Sequence, residues 1–244
     1  MVDLHCHILP GVDDGAENME EALQMARMAA DSGVREIIAT PHCNLPYAPR
    51  KNYMSYALQE RMEQFREAVH QARIPVSVSL GAEVLCTSDL EFLLQRGKLP
   101  TLAGSRYLLM EFFFDETMDY MTDRLSCVAA EGLIPVVAHP ERYDAVQRDP
   151  YAMEQWFVSG YVLQLNKGSI LGQLGRGAEA AANWLLSQGL AHAVASDAHT
   201  SVTRTPHMGQ IREYLEDTCG PDYARLLLHT NPGRILRDRP VVEA

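Results

Sequence analysis

Short runs rich in β-branched and aromatic residues alternate along this chain with longer segments of helical character. The seven runs lie at residues 2–5, 36–40, 76–80, 107–112, 134–138, 161–165 and 193–195. Because the helix after each strand returns the chain to the same end of the sheet, neighbouring strands in such a sequence run parallel. The alternation therefore predicts an α/β fold built on a parallel sheet, either open or closed into a barrel.

Length and composition fit one globular unit. Closed α/β barrels reach the length of this chain, 244 residues, as one domain, so we expect a single domain over residues 1–244. Hydrophobic residues make up 47% and charged residues 22%, a balance that excludes an intrinsically disordered chain. No apolar run approaches about 18 residues and no secretory signal is recognisable, so we expect a cytoplasmic protein without membrane insertion.

Net charge and cysteine content restrict which binding partners and which covalent cross-links we expect. The net charge of −11 opposes nonspecific contact with phosphate backbones, and we expect no nucleic-acid partner. An anionic substrate remains compatible with this charge, because bound metal ions or a few arginines reverse the potential locally. The five cysteines are scattered and form no C-x-x-C pair, which favours reduced thiols over a disulfide framework. The oligomeric state is unknown at this stage.

Helical segments are recognised by apolar periodicity and by capping residues. In the first helix, Asn18 and Glu21 have the spacing of a capping box, and Gly33 has the position of a left-handed C-terminal cap. Further helices are predicted at 53–72, 88–95, 116–131, 150–159, 177–188, 207–217 and 221–229. The loop 43–51 is long for a strand–helix connection, and such loops often shape substrate sites.

Side chains that bind metal ions follow the carboxyl ends of the predicted strands, the edge where α/β folds build active sites. His5 and His7 are two apart on a strand, which places both imidazoles on one face, and Asp197 and His199 repeat that spacing. The candidate set comprises His5, His7, Asp14, His42, Glu83, Glu111, His139, Asp197 and His199. Their joint placement favours a metal site.

Each candidate also has a structural interpretation when it is taken alone. His42 and His139 lie beside prolines and are each compatible with a hydrogen-bonded core histidine. Glu83 and Glu111 lie in apolar runs, where an ionised carboxylate must pair with an arginine or bind a metal ion. The Asp13-Asp14 pair, taken alone, favours a solvated turn. Beside His7, one of these carboxylates can fold back to a metal ion, and Asp14 is preferred over Asp13 only from the resemblance described below.

The donor set contains nitrogen and oxygen only, which suits Mn²⁺, Fe or Zn²⁺ without choosing between them. Nine donors exceed what one ion binds, so we expect two or three divalent ions. Arg142 and Arg204 follow two of the motifs and are candidates for binding phosphate, with a surface salt bridge as the alternative. Away from the strand ends, His70, His192 and His229 are interpreted as structural.

The segments DLHCH, TPH, GAE, AHPER and SDAH, in this order, resemble the PHP (polymerase and histidinol phosphatase) superfamily of metal-dependent phosphoesterases. The opening HCHILPGVDDGA, the HPER segment, QLNKGSI and the late NPGRIL are similar to bacterial manganese-dependent protein-tyrosine phosphatases of capsule and exopolysaccharide biosynthesis. The resemblance extends from about residue 2 to about residue 236, which is nearly the whole chain.

This resemblance implies a distorted (β/α)₇ barrel of the PHP type, with two or three divalent ions at the C-terminal ends of the strands. Mn²⁺ is the leading candidate for these ions. Position by position, it implies one ion on His5, His7, Glu83 and Asp197, a second on Glu83, Glu111 and His139, and a third on Asp14, His42 and His199. Arg142 and Arg204 would contact the phosphate. Asn166 lies at a strand end without an assigned role.

The implied activity is hydrolysis of phosphotyrosine by hydroxide held on the ions. The implied partner is a phosphotyrosine protein, the tyrosine-rich tail of a bacterial tyrosine kinase. Two alternatives remain: a PHP phosphoesterase acting on histidinol phosphate, a sugar phosphate or a nucleotide, and a metal-binding regulator without turnover. If the protein is a phosphotyrosine phosphatase, Tyr47, Arg50 and Lys51 of the long loop are hypothesised to form one wall of the groove that binds the peptide.

Overall fold

The computed structural model describes residues 1–243. Ala244, which the expected domain includes, lies outside the described residues. The strands are β1 (Val2–Cys6), β2 (Glu36–Ala39), β3 (His42–Cys43), β4 (Ser77–Leu80), β5 (Glu83–Leu85), β6 (Tyr107–Glu111), β7 (Ile134–Ala138), β8 (Val162–Asn166) and β9 (Ala193–Ala195). The helices are α1 (Met19–Asp31), α2 (Tyr56–Gln71), α3 (Leu90–Gln95), α4 (Met118–Ala130), α5 (Asp144–Arg148), α6 (Ala152–Val158), α7 (Lys167–Ile170), α8 (Arg176–Ser187), α9 (Gly209–Cys219), α10 (Pro221–Arg225) and α11 (Asn231–Leu236).

All strand pairs are parallel, and they form two hydrogen-bonded sheets. One has the order β1-β2-β4 and the other the order β3-β5-β6-β7-β8-β9. Because β3 continues β2 and β5 continues β4 after two-residue breaks, the two sheets together provide seven barrel strands, which we call staves: β1, β2–β3, β4–β5, β6, β7, β8 and β9. The break is bridged by Gly81, whose N–H donates to Ala39 O at 2.8 Å, and by Glu83, whose N–H donates to Pro41 O at 3.2 Å.

The first and last staves meet at a narrow seam. A single parallel bridge joins Cys6 and Ala198, beside hydrogen bonds from Asp197 N to His5 O at 2.9 Å and from His7 N to Ala198 O at 2.8 Å. A full ladder is absent there among residues 1–243, so the barrel is distorted rather than regularly closed. The predicted distorted (β/α)₇ barrel is confirmed.

Two apolar layers hold the barrel together. The larger lies between the strands and the surrounding helices, where α1 buries Ala22, Met25 and Ala26. The smaller fills the barrel interior, and its members come from nearly every stave, from a short 3-10 turn before β6 and from α11: Leu4, Ile38, Leu102, Tyr107, Leu109, Val136, Ala138, Val162, Ala193, Ala195 and Ile235. Because strand side chains alternate, the next inward positions toward the carboxyl end fall on polar residues.

A β-bulge in β1 is needed to aim the first histidine. The pairing of β1 with β2 shifts register between Asp3 and Cys6. Leu4 packs in the barrel interior, and its neighbour His5 also reaches inward, where its Nδ1 lies 2.8 Å from Gln164 Oε1 on β8. Strict alternation would send His5 outward, and the bulge removes that conflict.

The seven predicted strands are all present within a residue or two of their expected bounds. Strands β3 and β5 were missed because they are only two and three residues long. The capping box is half correct: Asn18 Oδ1 accepts from Glu21 N at 3.1 Å, but Glu21 accepts from Glu17 N instead of Asn18 N. The expected single domain stays a prediction. Over residues 1–243, no helix combines the length and hydropathy that a bilayer span requires.

Candidate metal centre

The structure gathers all nine candidate side chains at the carboxyl ends of the strands. Strand β1 presents the first two histidines, and the turn after it presents Asp14. Strands β3, β5 and β6 present His42, Glu83 and Glu111 respectively, and β7 is followed by His139. The last two candidates follow β9. The HxH spacing and the strand-end pattern therefore predicted which side chains lie together at this end of the barrel.

The first group surrounds the two imidazoles of β1. His5 Nε2 and His7 Nε2 lie 3.2 Å apart, and each lies 3.2 Å from an oxygen of Glu83. Asp197 Oδ1 lies 3.5 Å from both nitrogens. Two nitrogens and two carboxylates thus enclose one point, and His5, His7 and Glu83 are almost completely buried.

The protonation of these imidazoles tests whether the group fits a cation. His5 Nδ1 faces Gln164 Oε1 and His7 Nδ1 faces Asp13 Oδ2, each at 2.8 Å, so both Nδ1 atoms carry a proton toward an acceptor. In neutral imidazoles the two Nε2 lone pairs then face each other and the nearby carboxylates. A cation between them removes that repulsion, which is how acceptors behind histidines serve metal sites.

A second group lies across Glu83. His139 Nε2 lies 2.9 Å from Glu83 Oε1 and 3.7 Å from Glu111 Oε1. His42 Nδ1 lies 3.1 Å from Glu83 Oε2 and 3.4 Å from Glu111 Oε2. Glu83 is shared by both groups, in agreement with the bridging position that the resemblance implies, and its two oxygens face different sets of donors.

The third group lies nearest to solvent. His42 Nε2 and His199 Nε2 lie 3.5 and 3.7 Å from Asp14 Oδ1. The rings of His7 and His199 stack with centroids 3.9 Å apart. Asp14 is 69% exposed, so this group is open to water on one side whereas the first is enclosed.

The ionisable side chains of these groups shift one another's pKa values strongly. Burial by itself raises the pKa of Glu83, but His5 and His42 outweigh it and hold that pKa well below the usual range. Burial lowers the pKa of His42, but Glu83 and Glu111 raise it to about 12. For His199, burial and the neighbouring His7 lower the pKa to about 3. These neighbours therefore keep Glu83 ionised, the state in which a carboxylate binds cations.

Two candidates occupy the left-handed backbone region. His139 has φ 35° and Asp197 has φ 48°, values that non-glycine residues adopt at a cost of order 1–3 kcal/mol. His139 directly follows the last residue of β7, and Asp197 lies two residues after the end of β9. By this turn His139 enters the mouth, although the alternation of β7 would direct it to the outer face.

Asp13 supports the site from behind, a role that the sequence did not reveal. Its Oδ2 faces His7 Nδ1 and also accepts the backbone N–H of His42 at 2.9 Å, and its Oδ1 accepts from Gly15 N at 3.1 Å. Gly15 packs directly on His7: an added Cβ would lie 2.0 Å from the carbonyl oxygen of His7. Asp14 thus faces the third group and Asp13 holds the histidines.

Three polar groups converge on the second oxygen of Asp197. Asn166 Nδ2 and Arg204 Nη2 each donate to Oδ2 at 2.5 Å, and Arg142 Nη1 lies 3.4 Å away. Asn166, which had no assigned role, therefore orients Asp197. Its own backbone N–H is held by the fully buried Glu141 at 2.9 Å, so the HPER segment supports this contact.

The loop after β3 encloses a cavity beside the third group. Its volume is about 480 Å³, and its lining includes Val12, Asp14, His42, Leu45 and Pro49. The loop is tied down internally, as Lys51 Nζ donates to Pro46 O at 2.9 Å and Asn52 Nδ2 to His42 O at 2.8 Å. Arg50 donates to Gly11 O.

This arrangement changes the expected roles in the loop. Arg50 and Lys51 were hypothesised to contact a peptide, but both donate to backbone carbonyls that brace the loop. Tyr47 is 98% exposed and is available to a partner. On the side of the loop that lines the cavity, Leu45, Ala48 and Pro49 lie beside Arg50, and the hypothesis that this loop forms one wall of a peptide groove stays a prediction.

No cysteine belongs to the metal-competent groups found in residues 1–243. Cys6 is fully buried on the outer core, and burial raises its pKa well above the usual range. His70 lies exposed on α2 and His229 lies exposed near the C-terminal helices, both away from the mouth. His192 is buried, and its Nδ1 accepts from Leu163 N at 3.1 Å, which agrees with its structural interpretation.

Comparison with known proteins gives consistent matches over the whole length. The family described as capsular polysaccharide synthesis, CpsB/CapC, matches residues 1–237. The tyrosine-protein phosphatase YwqE of Bacillus subtilis (strain 168) is 34% identical over 241 residues, which cover 99% of this chain and 93% of the relative. The tyrosine-protein phosphatase CpsB of Streptococcus pneumoniae is 30% identical over 248 residues, which cover 98% of this chain and 99% of the relative.

A solved structure agrees with these matches. It comes from crystal structures of YwqE from Bacillus subtilis and CpsB from Streptococcus pneumoniae, described as unique metal-dependent tyrosine phosphatases. Its TM-score is 0.92 at 34% identity, with 100% of this chain and 97% of that chain covered. The resemblance drawn from the motifs is confirmed, and the chain belongs to the CpsB/CapC family of capsular polysaccharide synthesis.

Proposed function

We propose that this protein is a metal-dependent phosphatase that removes phosphate from phosphotyrosine in a protein. The observation that carries the proposal is the convergence of nine nitrogen and oxygen donors at one barrel mouth, with two imidazole Nε2 atoms facing each other across 3.2 Å. The relatives named as tyrosine-protein phosphatases support the same reaction over nearly the full chain.

The three groups support a site for two or three divalent ions. The first ion is assigned to His5, His7, Glu83 and Asp197, the second to Glu83, Glu111 and His139, and the third to Asp14, His42 and His199. The ions, when bound, supply an activated water as nucleophile and offset the charge of the phosphoryl oxygens. Mn²⁺ is the proposed ion, and Fe or Zn²⁺ satisfies the same donors.

Arg142 and Arg204 are proposed to bind the phosphate as catalytic residues. Both guanidinium groups lie at the edge of the first group, Arg204 at 2.5 Å and Arg142 at 3.4 Å from Asp197 Oδ2. Arg204 is 36% and Arg142 20% exposed, so each remains reachable from the mouth. The planar guanidinium group of an arginine donates two parallel hydrogen bonds to two oxygens of one phosphate. In the proposed reaction water attacks phosphorus directly, so no covalent phosphoenzyme is required.

The cavity beside the third group supports an aryl ester as the substrate. Val12, Leu45 and Pro49 provide apolar surface within reach of Asp14 and His42, and its volume of about 480 Å³ admits a tyrosine ring. The tyrosine leaving group, with a pKa of about 10, departs more readily than an alkoxide. The proposed partner is the tyrosine-rich tail of a bacterial tyrosine kinase, and the proposed location is the cytoplasm.

The deciding experiment compares three substrates side by side on metal-loaded protein: a phosphotyrosine peptide, a phosphoserine peptide and histidinol phosphate. We expect kcat/KM for phosphotyrosine to exceed that for phosphoserine at least tenfold, roughly 1.4 kcal/mol of transition-state binding. Turnover of histidinol phosphate above both peptides would replace this function with the small-molecule one. Elemental analysis below one metal per active chain would reject the multinuclear site.

A further inference from the structure

Two aromatic side chains are exposed at the edge of the mouth, directly after β6. Phe113 is 47% and Phe114 43% exposed, although the preceding Phe112 is buried. The guanidinium carbon of Arg142 lies 4.5 Å from the centroid of the Phe114 ring. That distance lies well inside the range of a cation–π interaction, in which the ring face attracts the delocalised charge.

The opposite side of Arg142 is held only weakly. Its Nη1 lies 3.4 Å from Asp197 Oδ2, an oxygen that already accepts from Arg204 and Asn166 at 2.5 Å. A carboxylate oxygen with two short donors has little capacity for a third. Most of the five N–H donors of Arg142 therefore have no acceptor among the described residues and are available to a ligand.

A backbone hydrogen bond keeps the segments that carry Phe114 and Arg142 next to each other. The carbonyl oxygen of Phe114 accepts the N–H of Asp144 at 2.8 Å, two residues after Arg142. The Phe114 ring also lies near the rings of Tyr143 and His139, with centroid distances of 6.2 and 6.1 Å. The loop after β6 and the turn after β7 are thus joined by a hydrogen bond and by ring contacts, which support the position of the ring beside the guanidinium.

We propose that Phe114 is a positioning residue, which stacks on Arg142 and directs its free donors toward the phosphate. This inference rests on the phosphate-binding role of Arg142 in the proposed function. A flexible arginine loses side-chain entropy when it is ordered, and a fixed stacking partner supplies that order before the substrate arrives. Phe114 itself does not need to touch the substrate.

The test is a double-mutant cycle with Phe114→Leu and Arg142→Ala, measured on a small aryl phosphate and on a small alkyl phosphate. Phe114→Leu alone should lower kcat/KM about fivefold on both substrates, which corresponds to about 1 kcal/mol. In the Arg142→Ala background the same change should have an effect below about 1.5-fold. Phe114→Tyr keeps a ring face and should restore the wild-type rate.

A binding measurement complements the kinetics. Calorimetric titration with inorganic phosphate should show weaker affinity for the metal-loaded Phe114→Leu protein and unchanged affinity for Phe113→Leu, a neighbour of similar exposure without an arginine on its ring. Equal losses from Phe114→Leu in both arginine backgrounds would overturn the proposal, as would a loss confined to the aryl substrate. An inactive wild-type protein would instead reject the proposed function and leave the phosphate titration to decide on Phe114.

Discussion

Asp13 Oδ2 lies 2.8 Å from His7 Nδ1 and accepts the backbone N–H of His42, so one carboxylate holds two of the proposed ligands from behind. The burial of Asp13 raises its pKa, but the hydrogen bond and charge of His7 outweigh this and bring it to about 2. Asp13 is therefore ionised at every pH at which a metalloenzyme would keep its ligands.

We predict that Asp13→Asn weakens metal binding without removing a ligand. An amide facing His7 Nδ1 lowers the basicity of Nε2, and loss of such a partner typically costs 10–100-fold in metal affinity. Metal content after dialysis against graded chelator concentrations measures the effect. Glu17→Gln, on the same turn but exposed, is the control, and equal metal retention by both variants would contradict the role of Asp13.

Glu83→Gln should lower kcat by at least two orders of magnitude. The carboxylate lies between two donor groups, and an amide provides only one coordinating oxygen and no charge. His70→Ala, exposed on α2, should leave kcat nearly unchanged. Metal stoichiometry should fall in Glu83→Gln and not in His70→Ala; if both variants retain full stoichiometry and rate, the shared position of Glu83 has no functional meaning.

Chelation should destabilise the fold as well as stop turnover. Ions that bind only the folded chain at about a thousand times their Kd contribute about 4 kcal/mol, equivalent to a Tm shift of about 10 °C for a chain of this size. Thermal unfolding with and without chelator measures this shift.

Alkylation of the partly accessible Cys127 and Cys219 should leave turnover intact, because neither lies at the mouth. Inactivation by alkylation alone would argue for a thiol mechanism.

Acid should destabilise the metal-free protein through His192. Burial lowers its pKa to about 4, against an ordinary value of 6.5. Between these values the unfolded chain binds more protons, so the free energy of unfolding falls as pH falls from 6.5 toward 4, by about 2 kcal/mol at pH 5. In His192→Asn this part of the pH slope should vanish, while His70→Asn should keep it. Chemical denaturation at pH 7 and pH 5 measures both slopes.

Period-two alternation and the strand-end rule were enough to locate the candidate site. They succeeded because every stave delivers its last inward residue to one edge, as at Glu111 on β6. They do not explain how two of the candidates turn inward: the bulge beside His5 and the left-handed turn at His139 are tertiary features with no local signal. Asp13 and Gln164 were missed for a related reason, because a carboxylate or amide behind a ligand has no distinctive spacing.

The resemblance to PHP phosphatases contributed what patterns could not. It selected Asp14 over Asp13, and the structure places Asp14 with the third group and Asp13 behind His7. The phenylalanines after Glu111 gave no functional signal, because a run of apolar residues at a strand end is equally typical of core packing. Only the position of the Arg142 guanidinium over one ring separates Phe114 from its neighbours.

The seam between β1 and β9 sets an order of events during biosynthesis. His5 and Asp197 belong to the first and last staves, separated by most of the chain, yet they enclose the same point. A ribosome must therefore release nearly the entire polypeptide before that enclosure exists. Nascent and prematurely terminated chains carry the two imidazoles without their distal carboxylate, so the ion proposed for this group would have its full set of ligands only after translation.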